Sequence, residues 1–189
     1  MTVTRVGVLA LQGDVREHVG ILETLGASAV LVKRPEQLRD IDALVIPGGE
    51  STTIGKMAVR FGLLDPLRQA IAAGVPVYGT CAGMILLAAA VTDGDQPLIG
   101  ALDVVVQRNA FGRQNESFEA ELDIVGLEAP FHAVFIRAPW IDKVGSDVEV
   151  LSEVDDHPVM VRQGKIMATS FHPELTGDGR IHQILLELT

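Results

Sequence analysis

Tyr78-Gly79-Thr80-Cys81-Ala82-Gly83-Met84 is the stretch that decides the fold. The apolar run from Pro76 to Gly79 predicts a short strand, and the apolar residues after Cys81 predict a helix that starts at once. A strand that turns into a helix at a cysteine set between glycines is a nucleophile elbow in sequence form. The turn needs small neighbours because the nucleophile's backbone is strained, and Gly79 and Gly83 supply them where helix and strand pack closely. It also aims the sulfur out of the sheet, toward the positive end of the helix dipole.

The elbow sits within a regular alternation. Arg5 to Leu11 predicts a strand ending at Gln12-Gly13. Asp14 then N-caps a helix through Leu25, whose Val15, Val19, Leu22 and Leu25 share one face, and Gly26 stops it. Ala29 to Val32 and Ala43 to Ile46 read as buried parallel strands, the second running into Pro47-Gly48-Gly49-Glu50-Ser51-Thr52 before a helix near Thr53. Leu63 to Ala73 is a further helix. This is a doubly wound βαβ series.

From Leu98 onward, strands and turns dominate: Val104 to Val106, Glu119 to Ile124, Ala133 to Ile136, Val148 to Ser152, Val159 to Arg162 and Ile166 to Ser170, with a closing helix from about Gly179 to Leu188. The last two strands, joined through Gln163-Gly164-Lys165, form a hairpin, so the sheet is mixed. The expected architecture is a three-layer α/β/α single domain over residues 1–189, with a doubly wound, mostly parallel sheet.

Composition bounds the function. With 189 residues, 48% of them hydrophobic, the chain is long enough for one well-buried core and short for two. One cysteine excludes an internal disulfide framework and fits a reducing compartment. No basic leader precedes an apolar core and no apolar run reaches spanning length, so a soluble, cytoplasmic protein is expected. A net charge of −10, with one Trp and one Tyr, argues against a nucleic-acid surface.

Beyond another apolar strand comes Ser170-Phe171-His172-Pro173-Glu174. It offers a base at a strand's C-terminal end, where open α/β sheets place their sites, and a carboxylate two positions on. Nucleophile Cys81, base His172 and orienter Glu174 are thus present together.

The chain resembles the triad-type (class I) glutamine amidotransferases in Gly-Thr-Cys81-Ala-Gly, Ser-Phe-His172-Pro-Glu174 and the Pro47 to Thr52 loop. More narrowly, it resembles the glutaminase subunits of pyridoxal 5′-phosphate synthase. That likeness rests on Leu9 to Gly13, Gly48 to Thr53, Gln107 to Gln114, Ser117 to Glu119 and Phe135 to Pro139, which together span the chain almost end to end. The resemblance implies hydrolysis of L-glutamine to L-glutamate and ammonia. Cys81 thiolate attacks the amide carbonyl, His172 carries the proton to the leaving ammonia, Glu174 steadies the imidazolium, and water then cleaves a γ-glutamyl thioester.

By the same resemblance Gly49, Glu50, Ser51, Arg108, Ile136 and Arg137 line the glutamine site. A guanidinium at Arg108 suits a carboxylate, and Ile136 and Arg137 are expected to contribute main-chain contacts. Backbone N–H groups of Gly49 and Ala82 are the expected oxyanion donors. Because glycines reorient at little steric cost, the hole is expected to be complete only with a partner bound.

That partner, by resemblance, is a (β/α)8-barrel synthase subunit that builds pyridoxal 5′-phosphate from ribose 5-phosphate, glyceraldehyde 3-phosphate and the ammonia. No cofactor and no metal are expected on this chain. Two surfaces are candidates for docking: the first helix with Arg16, Glu17 and His18, and the segment from Asn109 to Gln114. Two other functions stay open, a glutaminase for a different amidotransferase and a non-hydrolytic redox or stress protein using Cys81 as a sensor.

Overall fold

A computed structural model of the chain describes residues 3–111 and 117–189. The order is β1 (Arg5–Leu9), α1 (Val15–Thr24), β2 (Ser28–Val32), β3 (Ala43–Ile46), α2 (Ser51–Arg60), α3 (Leu64–Ala72), β4 (Val77–Thr80), α4 (Ala82–Leu87) and β5 (Ala88–Val91). There follow β6 (Leu102–Gln107), β7 (Ser117–Leu122), β8 (Phe131–Ile136), β9 (Trp140–Val144), β10 (Glu149–Val154), β11 (His157–Gln163), β12 (Ile166–Thr169) and α5 (Arg180–Glu187).

The main sheet has seven strands in the order β10-β11-β12-β4-β3-β1-β2. The five from β12 to β2 are parallel, while β10 and β11 are antiparallel additions, so the sheet is mixed and mostly parallel as expected. Its central strands are mostly apolar because both faces are covered, with the polar Thr80 and Thr169 at the carboxyl ends of β4 and β12. Leu44 and Ile46 point into one buried cluster with α2, α3 and α4. Ala43 and Val45, one pleat over, point into the other with α1 and α5. This is the three-layer α/β/α arrangement.

Strand order reverses between β1 and β3, since β1 leads outward to β2 whereas β3 leads to β4 on the opposite side. Loops leaving the carboxyl ends of β1 and β3 therefore diverge and open a crevice, the place where open α/β sheets take ligands.

Two small sheets, β5-β6-β9 and the hairpin β7-β8, stand apart from the main one; β6, β7 and β8 answer to expected strands, whereas β5 and β9 were not expected. The helix after the elbow is only six residues long, because Ala88 leaves it directly for β5. The β11–β12 hairpin is present, with Gln163 paired to Ile166. Among the described residues, no helix is long and apolar enough to cross a membrane.

Candidate active site

Cys81 occupies φ 48°, ψ −102°, a left-handed conformation that costs a non-glycine residue about 1–3 kcal/mol. Neighbouring contacts hold it there. Its N–H donates to the Thr169 carbonyl of β12 at 2.8 Å, and the Ile85 N–H donates to the Cys81 carbonyl at 3.2 Å. A Cβ on Gly83 would stand 2.0 Å from the Ile46 carbonyl oxygen, and one on Gly79 would stand 2.6 Å from the Gly83 backbone. Both glycines are therefore required by close packing of α4 on β3 and β4, as the elbow reading anticipates.

His172 follows β12, and its N–H donates to the Val134 carbonyl of β8 at 2.8 Å. Its Nδ1 lies 2.6 Å from Glu174 Oε1 and 3.4 Å from Asp14 Oδ2. Burial opposes charge on this ring, yet hydrogen bonds to Asp14, Cys81 and Glu174 push its pKa up to about 12. For Glu174 burial dominates and pushes the carboxyl up, against the opposing hydrogen bond from His172.

A cavity of about 520 Å³ opens over these groups. Cys81 and His172 line it, and so do all six residues expected to contact glutamine: Gly49, Glu50, Ser51, Arg108, Ile136 and Arg137. Ala82 begins α4 beside the cysteine, and Glu174 stands behind His172. Among the described residues, three of the five non-glycine residues with positive φ, namely Cys81, Asn109 and Arg137, line this one cavity. Such clustering of backbone strain is typical of binding sites.

Some side chains are engaged differently from expectation. Glu50 is the N-cap of α2, its carboxylate accepting from Thr52 N–H at 3.1 Å and Thr53 N–H at 2.7 Å. The helix therefore starts at Ser51, two residues before the expected Thr53. Asp14 makes no side-chain cap on α1 and turns instead to His172.

The bidentate fork of Arg108, read as a carboxylate binder, is taken by Asp93 at 2.9–3.4 Å. Its remaining arm reaches Gln96 Oε1 at 3.2 Å and Thr52 Oγ1 at 3.3 Å. That Gln96 oxygen also accepts from Ser51 Oγ at 3.0 Å, so one buried amide joins two predicted substrate contacts. Gln12, Asp14, Asp93 and Gln96 escaped the sequence reading. Only Gln12 and Asp14 carried a signal, by following a strand at its carboxyl end.

His18 is a correction. Expected on a docking face with Arg16 and Glu17, it is fully buried and touches Thr80, His182 and Glu174. Of the second docking candidate, Asn109 lines the cavity, Phe111 packs edge-on against Phe135 and Trp140, and Gly112 to Gln114 fall outside the described residues.

Among the described residues, donor atoms of Asp14, His172 and Glu174 come within 4.8 Å of one another, a spacing that could hold a metal ion. Both carboxylates, however, converge on the same ring atom, Nδ1, and a protonated Nδ1 has no lone pair to offer a cation. The arrangement suits proton transfer, with a thiol, an imidazole and an orienting carboxylate in series.

The family model of the SNO glutamine amidotransferases matches residues 8–189. The chain belongs to the SNO glutamine amidotransferase family. Within it, the chain is 60% identical to the pyridoxal 5′-phosphate synthase subunit PdxT of Frankia alni, an alignment covering 100% of this chain and 96% of the relative. It is 62% identical to the PdxT of a Parafrankia species, over 100% of this chain and 94% of that one.

Among solved structures, a glutamine amidotransferase superposes with a TM-score of 0.93 at 53% identity, covering 97% of both chains. A chain in the structure of PurLQS from Thermotoga maritima shares the fold at a TM-score of 0.68 and 17% identity, covering 99% of both chains. The SNO glutamine amidotransferase fold thus extends to proteins of little sequence likeness.

Proposed function

We propose that this chain is the glutaminase subunit of a pyridoxal 5′-phosphate synthase, hydrolysing L-glutamine to L-glutamate and ammonia within one glutaminase domain spanning residues 1–189. A single observation carries the reading: an elbow cysteine and a carboxylate-backed histidine share a cavity with Gly49, Glu50, Ser51, Arg108, Ile136 and Arg137. The PdxT names of relatives near 60% identity point the same way.

In this mechanism Cys81 thiolate adds to the side-chain amide carbon of glutamine. His172 Nε2 gives its proton to the departing nitrogen, because Nδ1 is committed to Glu174. A γ-glutamyl thioester remains, and water deprotonated by His172 cleaves it to glutamate and restores the thiol. The Ala82 and Gly49 N–H groups are the donors to the oxyanion. The charge of Arg108 and the rim backbone at Ile136 and Arg137 hold the amino-acid end, with the Arg108 fork shared with Asp93.

The Gly48 carbonyl accepts from the Asp14 N–H at 3.1 Å, and the Glu50 N–H donates to Gln12 Oε1 at 2.8 Å. These bonds tie the Gly48-Gly49 peptide to the start of α1. Docking of a (β/α)8-barrel synthase partner on that end rotates the peptide, completes the oxyanion hole and receives the ammonia directly. The protein works in the cytoplasm as part of a hetero-oligomer. An electrophilic glutamine analogue tests the site: stoichiometric mass addition on Cys81 that glutamine protects against is expected, and labelling elsewhere, or none, refutes it.

A further inference from the structure

Behind Glu174 lies a pair of histidines that the mechanism above does not use. His18, from α1, and His182, from α5, are fully buried, with His18 Nδ1 2.8 Å from His182 Nε2. On its other side, His18 Nε2 lies 3.1 Å from Thr80 Oγ1 and 3.6 Å from Glu174 Oε2. Glu174 Oε2 has no hydrogen-bond partner, and neither has His182 Nδ1.

These two orphaned atoms select the tautomers. If His18 carried its proton on Nδ1, a bare Nε2 lone pair would face the Glu174 carboxylate, and His182 would be left with a buried N–H donating to nothing. Orphaned buried N–H groups are rare in native structures, and an unpaired acceptor is more easily tolerated. With the opposite assignment, His182 Nε2–H donates to His18 Nδ1, and His18 Nε2–H points between Thr80 Oγ1 and Glu174 Oε2. The carboxylate then meets a positive dipole on each oxygen, His172 at one and His18 at the other.

We propose that His18, its tautomer set by His182, is a positioning residue that holds Glu174 oriented and ionised for His172, extending the triad inward to the chain His182–His18–Glu174–His172–Cys81. This rests on the reading of Cys81, His172 and Glu174 as a hydrolytic triad. Burial and the neighbouring His182 and His172 keep the His18 pKa well below its ordinary value, so it acts as a neutral dipole and carries no proton in turnover. The polar groups around it are Glu174 and His172 from the turn after β12, Thr80 and Tyr78 from β4, and His182 from α5.

The test uses the full chain with its synthase partner and follows glutamate release against pH. His18→Leu removes the donor, whereas His18→Gln keeps an N–H near the Nε2 position. Without the donor Glu174 binds its proton more readily, so the acid limb of kcat moves to higher pH.

For His18→Leu the expectation is a kcat at least about tenfold lower, as the buried carboxylate loses the dipole that faces Oε2 in a low-dielectric setting, with KM within twofold and an acid limb shifted upward. His18→Gln recovers most of the rate and returns the limb. His182→Phe, which keeps the aromatic shape and frees the tautomer, shifts the limb the same way by less, and it stands as the test if His18→Leu fails to fold. Wild-type pH profiles in folded His18→Leu or His182→Phe overturn the proposal. So does equal loss of rate in the leucine and glutamine variants with no movement of the limb. A wild-type protein that releases no glutamate would instead refute the hydrolytic reading on which it rests.

Discussion

Glu174 Oε1 sits 2.6 Å from His172 Nδ1, and both side chains are buried. This contact fixes which ring nitrogen can serve the thiol. With Nδ1 held by the carboxylate, Nε2 alone is left to exchange a proton with Cys81 and the substrate. Glu174→Gln keeps the shape, but its amide group can present either an acceptor or an N–H to Nδ1, and it no longer balances an imidazolium. Turnover is expected to fall on the order of 100-fold or more while glutamine still binds, measured as kcat and KM for glutamate release with the synthase partner present. An unchanged kcat would remove Glu174 from the triad.

Arg108 lines the cavity but pairs with the exposed Asp93, so its value lies in charge at the site rather than in stability. Arg108→Met is expected to raise KM for glutamine about tenfold or more, through loss of a charged hydrogen bond. The unfolding free energy should change by less than about 1 kcal/mol, as for other exposed pairs. Steady-state kinetics and urea unfolding on the same sample separate the two effects.

Gly83 has no room for a methyl group, because an added Cβ would meet the Ile46 carbonyl at 2.0 Å. Gly83→Ala must push α4 off β3 and carry the elbow with it. Destabilisation of about 1–3 kcal/mol is expected, as in overpacked cores, together with a loss of activity larger than the stability change explains. Denaturant unfolding paired with Cys81 labelling rates is the check.

His182 is buried, and burial lowers its pKa from 6.5 to about 4. The unfolded chain therefore binds this proton more readily, so stability falls as pH drops from about 6.5 to about 4 and levels off below. The loss from this one group reaches up to about 3 kcal/mol at 1.36 kcal/mol per pKa unit. The His172 ring, raised instead, stays protonated when folded and loses its proton near pH 6.5 only in the unfolded chain, so it adds an opposite slope at the top of that window and none at its acid end. His182→Phe is expected to flatten the acid decline, measured as urea midpoints between pH 4 and 7. A slope identical to wild type would contradict a buried neutral His182.

The elbow and the His172-Pro173-Glu174 turn were legible in the sequence because steric demands at a strained turn leave a residue-type record. Gly79 and Gly83 sit where no Cβ fits, and Cys81 lies between them. The parallel strands were legible for a similar reason: burial on both faces of the sheet makes them mostly apolar. β5 and β9 were not, since each runs at the edge of a small sheet and shows too few apolar positions for a period.

Polar residues were the main failure. A helix start with Asp14 reads as a cap, and only tertiary structure shows its carboxylate turned to His172. Similarly, His18 among Arg16 and Glu17 looks like a solvated helix face, yet α1 rolls that one position onto Thr80 and His182. Glu50 carried both meanings at once, helix cap and cavity wall.

The central claim is that Cys81 hydrolyses glutamine on behalf of a synthase partner. Glutamate release from L-glutamine, measured for wild type and Cys81→Ala with and without the (β/α)8-barrel synthase partner, tests it most directly. The account predicts strong turnover by wild type with the partner, little without it, and none from Cys81→Ala in either case. Equal turnover with and without Cys81, or no turnover in any mixture, would contradict it.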